Sequence, residues 1–240
     1  SDDLMIKSNK ILFGATVCLT AILFFTGILL SQRKPLWNDE LYTQKESVER
    51  PSYFEILSGR LAEGNNFPLF YLIQKAVCDV GRYRLGDQWH SEWQISEPRG
   101  QVILRIPSNI FMTLSLVCIF YYFAAQFSLG AGIYALLVAL SSVMVWGYWA
   151  EARPYGLWFF LTTLQLLLVL GKGNLRALLG VNLLLALTVS FGIIQTFLVS
   201  ALLWLEKKYG WKKCLALFVP PFLVFLFYFI QSPRFRFHLP

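Results

Sequence analysis

The chain reads as an all-α polytopic membrane protein, with about seven transmembrane helices and a large outer first loop that contains interfacial helices. Three observations predict this. Hydrophobic residues make up 56% of the 240 positions and charged residues only 15%, too little polar surface to cover a soluble globule of this size. Uncharged runs of about twenty residues recur along the chain, and each is closed by a short polar or basic segment. The excess of 21 Lys and Arg over 14 Asp and Glu gathers in those short segments, where it sets orientation in a membrane and does not point to nucleic acid.

Ile11 to Leu30 carries no charge and follows Lys7 and Lys10. It is long enough to cross a hydrocarbon core of ~30 Å and longer than the ~7–15-residue apolar core of a cleaved signal peptide. Residues 11–30 are therefore the first span, with the N-terminus in the cytosol. Residues 31–102 form a polar outer loop that holds ten of the fourteen acids. Within it, Leu69, Leu72, Ile73, Ala76, Val77 and Val80 share one helical face, and Tyr71, Gln74, Lys75, Cys78 and Asp79 the other. A helix so divided lies in the membrane interface.

Residues 103–231 are expected to supply six further spans. Ile106 to Ala150 is uncharged and divides at Gly130 and Gly132 into two, and Tyr155 to Gly171 supplies a third. Ala177 to Leu205 forms a hairpin of two short helices turning near Ser190 to Gln195. Cys214 to Gln231 is the last span, kinked at Pro220 and Pro221. The basic segments Lys172 to Arg176 and Lys207 to Lys213 both belong in the cytosol, which requires an even number of crossings between them. Glu151 to Tyr155 then emerges on the same outer side as Asp39 and Glu40, provided that 66–81 does not cross. The four cysteines show neither a disulfide framework nor zinc spacing, and His90 and His238 are isolated and expected in solvent. The chain opens on Ser-Asp-Asp and closes on Arg-Phe-His-Leu-Pro, so the whole is read as one transmembrane module whose C-terminal part is missing.

Four stretches bring chemistry to that outer face: Trp37-Asn-Asp39-Glu40-Leu-Tyr42, Asn66-Phe-Pro68, Arg105-Ile-Pro-Ser108 and Glu151-Ala-Arg153-Pro-Tyr155. Ionisable groups at the rim of an apolar bundle cost free energy unless they are paired, hydrated or functional. A carboxylate can take a proton from a hydroxyl, and guanidinium groups can hold a lipid phosphate and stabilise the charge it gains as a leaving group. Each stretch also has a plainer use. Asn38 or Asp39 suits a helix N-cap, Arg153 can pair with Glu151 or reach into the head groups, and Arg105 can be a flanking charge.

Taken in order, the four stretches resemble the protein O-mannosyltransferase-like family of membrane glycosyltransferases. That family includes bacterial enzymes that move sugars or aminoarabinose from polyprenyl phosphate. The resemblance runs from about Ile11 to Tyr228. Where members carry His-Pro-Pro or Lys-Pro-Pro before the interfacial helix, this chain has Asn66-Phe67-Pro68. The resemblance implies an inverting, C-type enzyme of the bacterial cytoplasmic membrane with its site on the outer side. Asp39 would be the catalytic base and Glu40 its partner. Arg105, Arg153 and Tyr155 would hold the donor phosphate, and Trp37, Tyr42, Asn66, Pro68 and Glu151 would line the donor or acceptor pocket. The partners it implies are a polyprenyl-phosphate-linked sugar, a glycan, lipid or protein acceptor, and membrane lipids. A divalent metal is compatible with such chemistry, and no ligand spacing identifies one. The rival reading is a carrier or transporter of the lipid-linked sugar, in which the same residues bind without catalysis.

Overall fold

The computed structural model describes residues 2–62, 66–85, 98–171 and 174–232, and these fold into eleven α-helical segments and one π-helical turn. Lys172, His90 and His238 lie outside the described residues. α1 (Asp2–Arg33) is a single helix of 32 residues. Its Phe13, Ile22 and Phe25 are more than half exposed, a surface suited to lipid. α1 stops just before Pro35, which cannot donate the next helical hydrogen bond.

Three short elements follow above the end of α1. α2 (Asn38–Thr43) runs directly into the π-helical turn (Gln44–Glu49). α3 (Tyr53–Leu57) is started by a capping box, with the Glu55 backbone N–H donating to Ser52 Oγ and the Ser52 N–H to the Glu55 carboxylate at 2.8 Å. α4 (Pro68–Gly81) covers the segment expected as an interfacial helix, with Pro68 in its first turn. It presents the faces in the opposite sense from a water-facing amphipathic helix. Tyr71, Gln74, Lys75 and Cys78 are buried against the π turn, while Val80 is 86% exposed. Lys75 Nζ donates to Val48 O at 2.8 Å, and Gln74 Nε2 to Gln44 Oε1 at 3.4 Å. The polar face finds protein partners, while on the apolar face Leu69, Leu72 and Ile73 pack partly buried against the core and Ala76 and Val80 are exposed.

α5 (Pro98–Gln126) is the central helix. It packs against α1, α4, α6 (Leu129–Leu140) and α8 (Tyr155–Leu170). α7 (Val143–Trp149) continues α6 after a bend of 74°. α9 (Leu175–Ala186), α10 (Phe191–Leu205) and α11 (Trp211–Gln231) complete the bundle.

Among the described residues, three helices are long and apolar enough to cross a membrane, Lys10–Arg33, Arg99–Gln126 and Trp211–Gln231, or four if the bent pair α6 and α7 is one broken span. The expected seven spans, and the six assigned to 103–231, are corrected accordingly. α8, α9 and α10 have 16, 12 and 15 residues. At 1.5 Å per residue they reach only ~18–24 Å, short of a ~30 Å core. Several long apolar helices remain compatible with a multi-pass membrane protein.

The helices run between two poles. Lys208 Nζ donates to Val169 O at 2.6 Å, joining the α10–α11 connection to the end of α8. At the other end of α11, Tyr228 Oη donates to Leu57 O in α3 at 2.9 Å. The Lys207 to Lys213 segment thus sits at the pole opposite α2, α3 and α4.

Candidate functional site

The site assembles where α1 ends, α2 begins and the chain passes from α7 to α8. Pro35 has no N–H, so the Ser31 carbonyl four residues earlier loses its helical donor. Arg105, about two turns into α5, supplies a replacement: its Nη1 donates to Ser31 O at 3.0 Å and also to Lys34 O, and its Nη2 to Pro35 O at 3.0 Å. The remaining N–H groups go to Glu40, from Nε to Oε1 at 2.9 Å and from Nη2 to Oε2 at 2.6 Å. All five guanidinium donors therefore have acceptors. Both side chains of this ion pair are fully buried.

Glu40 is equally committed. Besides Arg105 it accepts the Ala152 backbone N–H at 2.7 Å and the Trp37 backbone N–H at 3.3 Å. The latter bond puts the N-cap of α2 at Trp37, so the plainer use of Asn38 or Asp39 as the cap does not hold. The Ala152 bond fixes the segment that carries Glu151 and Arg153. Ser108 fixes it from the other side, its hydroxyl donating to Arg153 O at 3.1 Å. Gly156 allows that approach, since a Cβ there would stand 2.8 Å from the Ser108 carbonyl oxygen.

The second ion pair of the site joins Asp39, which is exposed, to Arg153, which is largely enclosed. Arg153 Nη1 donates to Asp39 Oδ2 at 2.6 Å, with the Asp39 side chain 54% exposed. The same guanidinium lies over the Tyr155 ring, 5.4 Å from its centroid, and Tyr155 in turn packs on Tyr148 at 4.3 Å. Tyr148 and Tyr155 border an apolar groove of about 350 Å³, whose wall includes Met112 of α5, Val145 of α7, and Trp158 and Phe159 of α8.

Glu151 stands behind this pair and is 5% exposed. Burial raises its carboxyl above the ordinary carboxylate range, and the Glu40 carboxylate adds to the effect. Lys34, Arg153 and a hydrogen bond from the Trp37 indole oppose it. Lys34, which the sequence reading passed over, also donates from Nζ to Gly147 O at 3.1 Å. Its position directly before Pro35 at a membrane exit was the only signal for it.

The structure thus brings together Trp37, Asp39, Glu40, Arg105, Glu151, Arg153 and Tyr155. Tyr42 sits on α2 and is 42% exposed. Asn66 and Pro68 are engaged elsewhere, at the turn between α9 and α10. Asn66 is 5% exposed and forms an isolated bridge with Val189, and the Phe67 and Leu69 N–H groups on either side of Pro68 donate to Thr188 O and Leu187 O. Among the described residues no three His, Cys, Asp or Glu side chains are placed to hold a metal ion.

No family model, curated protein or solved structure matches the chain. The resemblance noted in the sequence rests on its four stretches alone.

Proposed function

We propose that the chain is a membrane glycosyltransferase that moves a sugar from a polyprenyl-phosphate donor to an acceptor hydroxyl with inversion. One observation supports this above the others: Tyr155 carries the Arg153 guanidinium on its ring and also lines the 350 Å³ groove. An isoprenoid chain lying in that groove would bring its phosphate to Arg153. Arg105, with five donors already taken, leaves this role to Arg153. Arg105 and Glu40 act instead as positioning residues, through the Ala152 N–H.

The Asp39–Arg153 pair then has a mechanistic use. A donor phosphate competes with the Asp39 carboxylate for the same guanidinium, and its arrival releases that carboxylate to act as a base. Asp39 takes the proton of the acceptor hydroxyl. The acceptor oxygen attacks the anomeric carbon while the bond from that carbon to the phosphate oxygen breaks on the opposite face. The electron pair leaves with the phosphate, whose charge Arg153 stabilises, and the proton stays on Asp39. The carrier reading uses the same groove and guanidinium but needs no base.

Purified full-length chain incubated with a panel of polyprenyl-phosphate sugars separates the two. The enzyme reading expects release of polyprenyl phosphate, reduced about 10²–10⁴-fold in Asp39→Asn with donor binding retained. Full activity in that variant would sink the base assignment, and binding without turnover of any donor would favour the carrier.

A further inference from the structure

The opposite pole carries a second groove with a chemistry of its own. It runs between α10 and α11, encloses about 310 Å³, and is lined by Phe197, Ser200, Trp204, Trp211, Leu215 and Phe218 among others. Ser200 is 4% exposed, and its hydroxyl has no hydrogen-bond partner among the described residues. Helical serines and threonines in apolar surroundings ordinarily donate back one turn, as Thr196 does to Gly192 O at 2.8 Å. Ser200 lacks that bond and lies in the groove wall, where the exposed surface is apolar, so its hydroxyl reaches a molecule in the groove by rotating about χ1.

The mouth of the groove is cationic and aromatic. Trp204 and Trp211, 54% and 58% exposed, flank it in the manner of interfacial anchors. The connection beyond them carries Lys207, Lys208, Lys212 and Lys213 against Glu206 alone. Lys208 is committed to Val169 O, whereas Lys207, Lys212 and Lys213 are exposed. Lys212 Nζ lies 5.7 Å from the Trp211 ring centroid, which keeps an ammonium group at the mouth.

We propose that this groove binds one anionic phospholipid. Its acyl chain lies along Phe197, Leu215 and Phe218, an ester carbonyl oxygen accepts from Ser200 Oγ, and the head-group phosphate rests among Lys207, Lys212 and Lys213. An apolar partner helix would answer neither the buried hydroxyl nor the cationic mouth, and a zwitterionic head group would meet the lysines with a cation of its own. The site is independent of the glycosyltransferase reading.

Native mass spectrometry of the full chain, with phosphatidylglycerol or phosphatidylcholine added, tests the assignment. The wild type is expected to retain phosphatidylglycerol at least about tenfold better. The triple variant Lys207→Gln, Lys212→Gln, Lys213→Gln, altered only at exposed positions, should lose that preference. Ser200→Ala should lower retention of both lipids roughly two- to tenfold, because both carry the ester carbonyl. Equal retention of the two lipids by the wild type, unchanged retention in Ser200→Ala, or a lipid-free dimer closed over the groove would each overturn the proposal.

Discussion

The buried Glu40–Arg105 pair and the Asp39–Arg153 pair, whose carboxylate alone is about half exposed, use the same two chemistries in opposite ways. Glu40 and Arg105 are both fully buried, and every guanidinium N–H has an acceptor. Removing one partner leaves a desolvated charge, so Arg105→Ala is expected to cost roughly 3–5 kcal/mol. Asp39→Asn, at a site open to water, should change stability by less than about 1 kcal/mol. Thermal unfolding of the two variants in detergent checks the contrast, and equal losses would contradict it. Glu151 adds a pH dependence of known sign. An acid whose folded pKa is raised keeps its proton in the native state after the unfolded chain has lost it. Its contribution to stability therefore falls as the pH rises from the ordinary carboxylate range through the raised value. Glu151→Gln should flatten that part of the stability-against-pH curve relative to wild type, and parallel curves would show that Glu151 does not titrate in this window. Asp39, Glu40, Arg105 and Arg153 were legible in the sequence as ionisable groups at the rim of an apolar bundle. Which arginine is fully enclosed and which pairs with an exposed carboxylate was not, because both stand in similar apolar-flanked stretches.

At the scale of elements, proline decides two of the tertiary contacts by leaving a carbonyl without its donor. Pro35 frees Ser31 O, which Arg105 takes. Pro221 likewise frees Leu217 O in α11, and Asn182 of α9 donates to it from Nδ2 at 3.1 Å while accepting from Gln165 Nε2 at 2.7 Å. Gln165 in turn accepts from Gln195 Nε2 at 2.8 Å, so one polar ladder ties α8, α9, α10 and α11. Such bonds hold helices that lack a hydrophobic driving force between them. Asn182→Leu leaves the Leu217 carbonyl and the Gln165 amide without partners, and is expected to destabilise by roughly 1–3 kcal/mol in detergent unfolding; an unchanged midpoint would remove the ladder from the account. The orphaned carbonyls could be read from the prolines, but the residue that answers each one could not, since it lies 35 positions away for Leu217 and 74 for Ser31. α4 shows the same limit. Its two faces were evident from periodicity, yet the polar face turned inward because Gln44 and Val48 O wait there as partners.

For the whole molecule, the two poles carry different chemistry: an ion-paired cluster at one end and a lysine-rich connection at the other. With a cysteine-free background, Arg50→Cys, at the exposed residue that closes the π-helical turn, and Lys212→Cys are expected to react with an impermeant maleimide from opposite sides of sealed vesicles. Labelling of both from one side would break the assigned polarity. The all-helical class, the position of each apolar run, and the three stretches that carry the candidate site follow from the sequence by itself; the fourth, Asn66 to Pro68, joins the turn between α9 and α10 instead. Hydrophobicity and charge spacing act locally, and so they are written in local residues. The number of spans and the division of labour among the charged groups were decided only by the tertiary structure. Charge parity divides Ala177 to Leu205 into a hairpin of two short spans turning near Ser190 to Gln195, but the turn falls earlier, at Leu187 to Ser190, and leaves helices of 12 and 15 residues, too short to reach across a membrane. Burial, too, is a property of what packs from elsewhere. Arg105 is closed off because α1 ends against it, whereas Arg153 pairs with the exposed Asp39 and lies over Tyr155 in the groove wall.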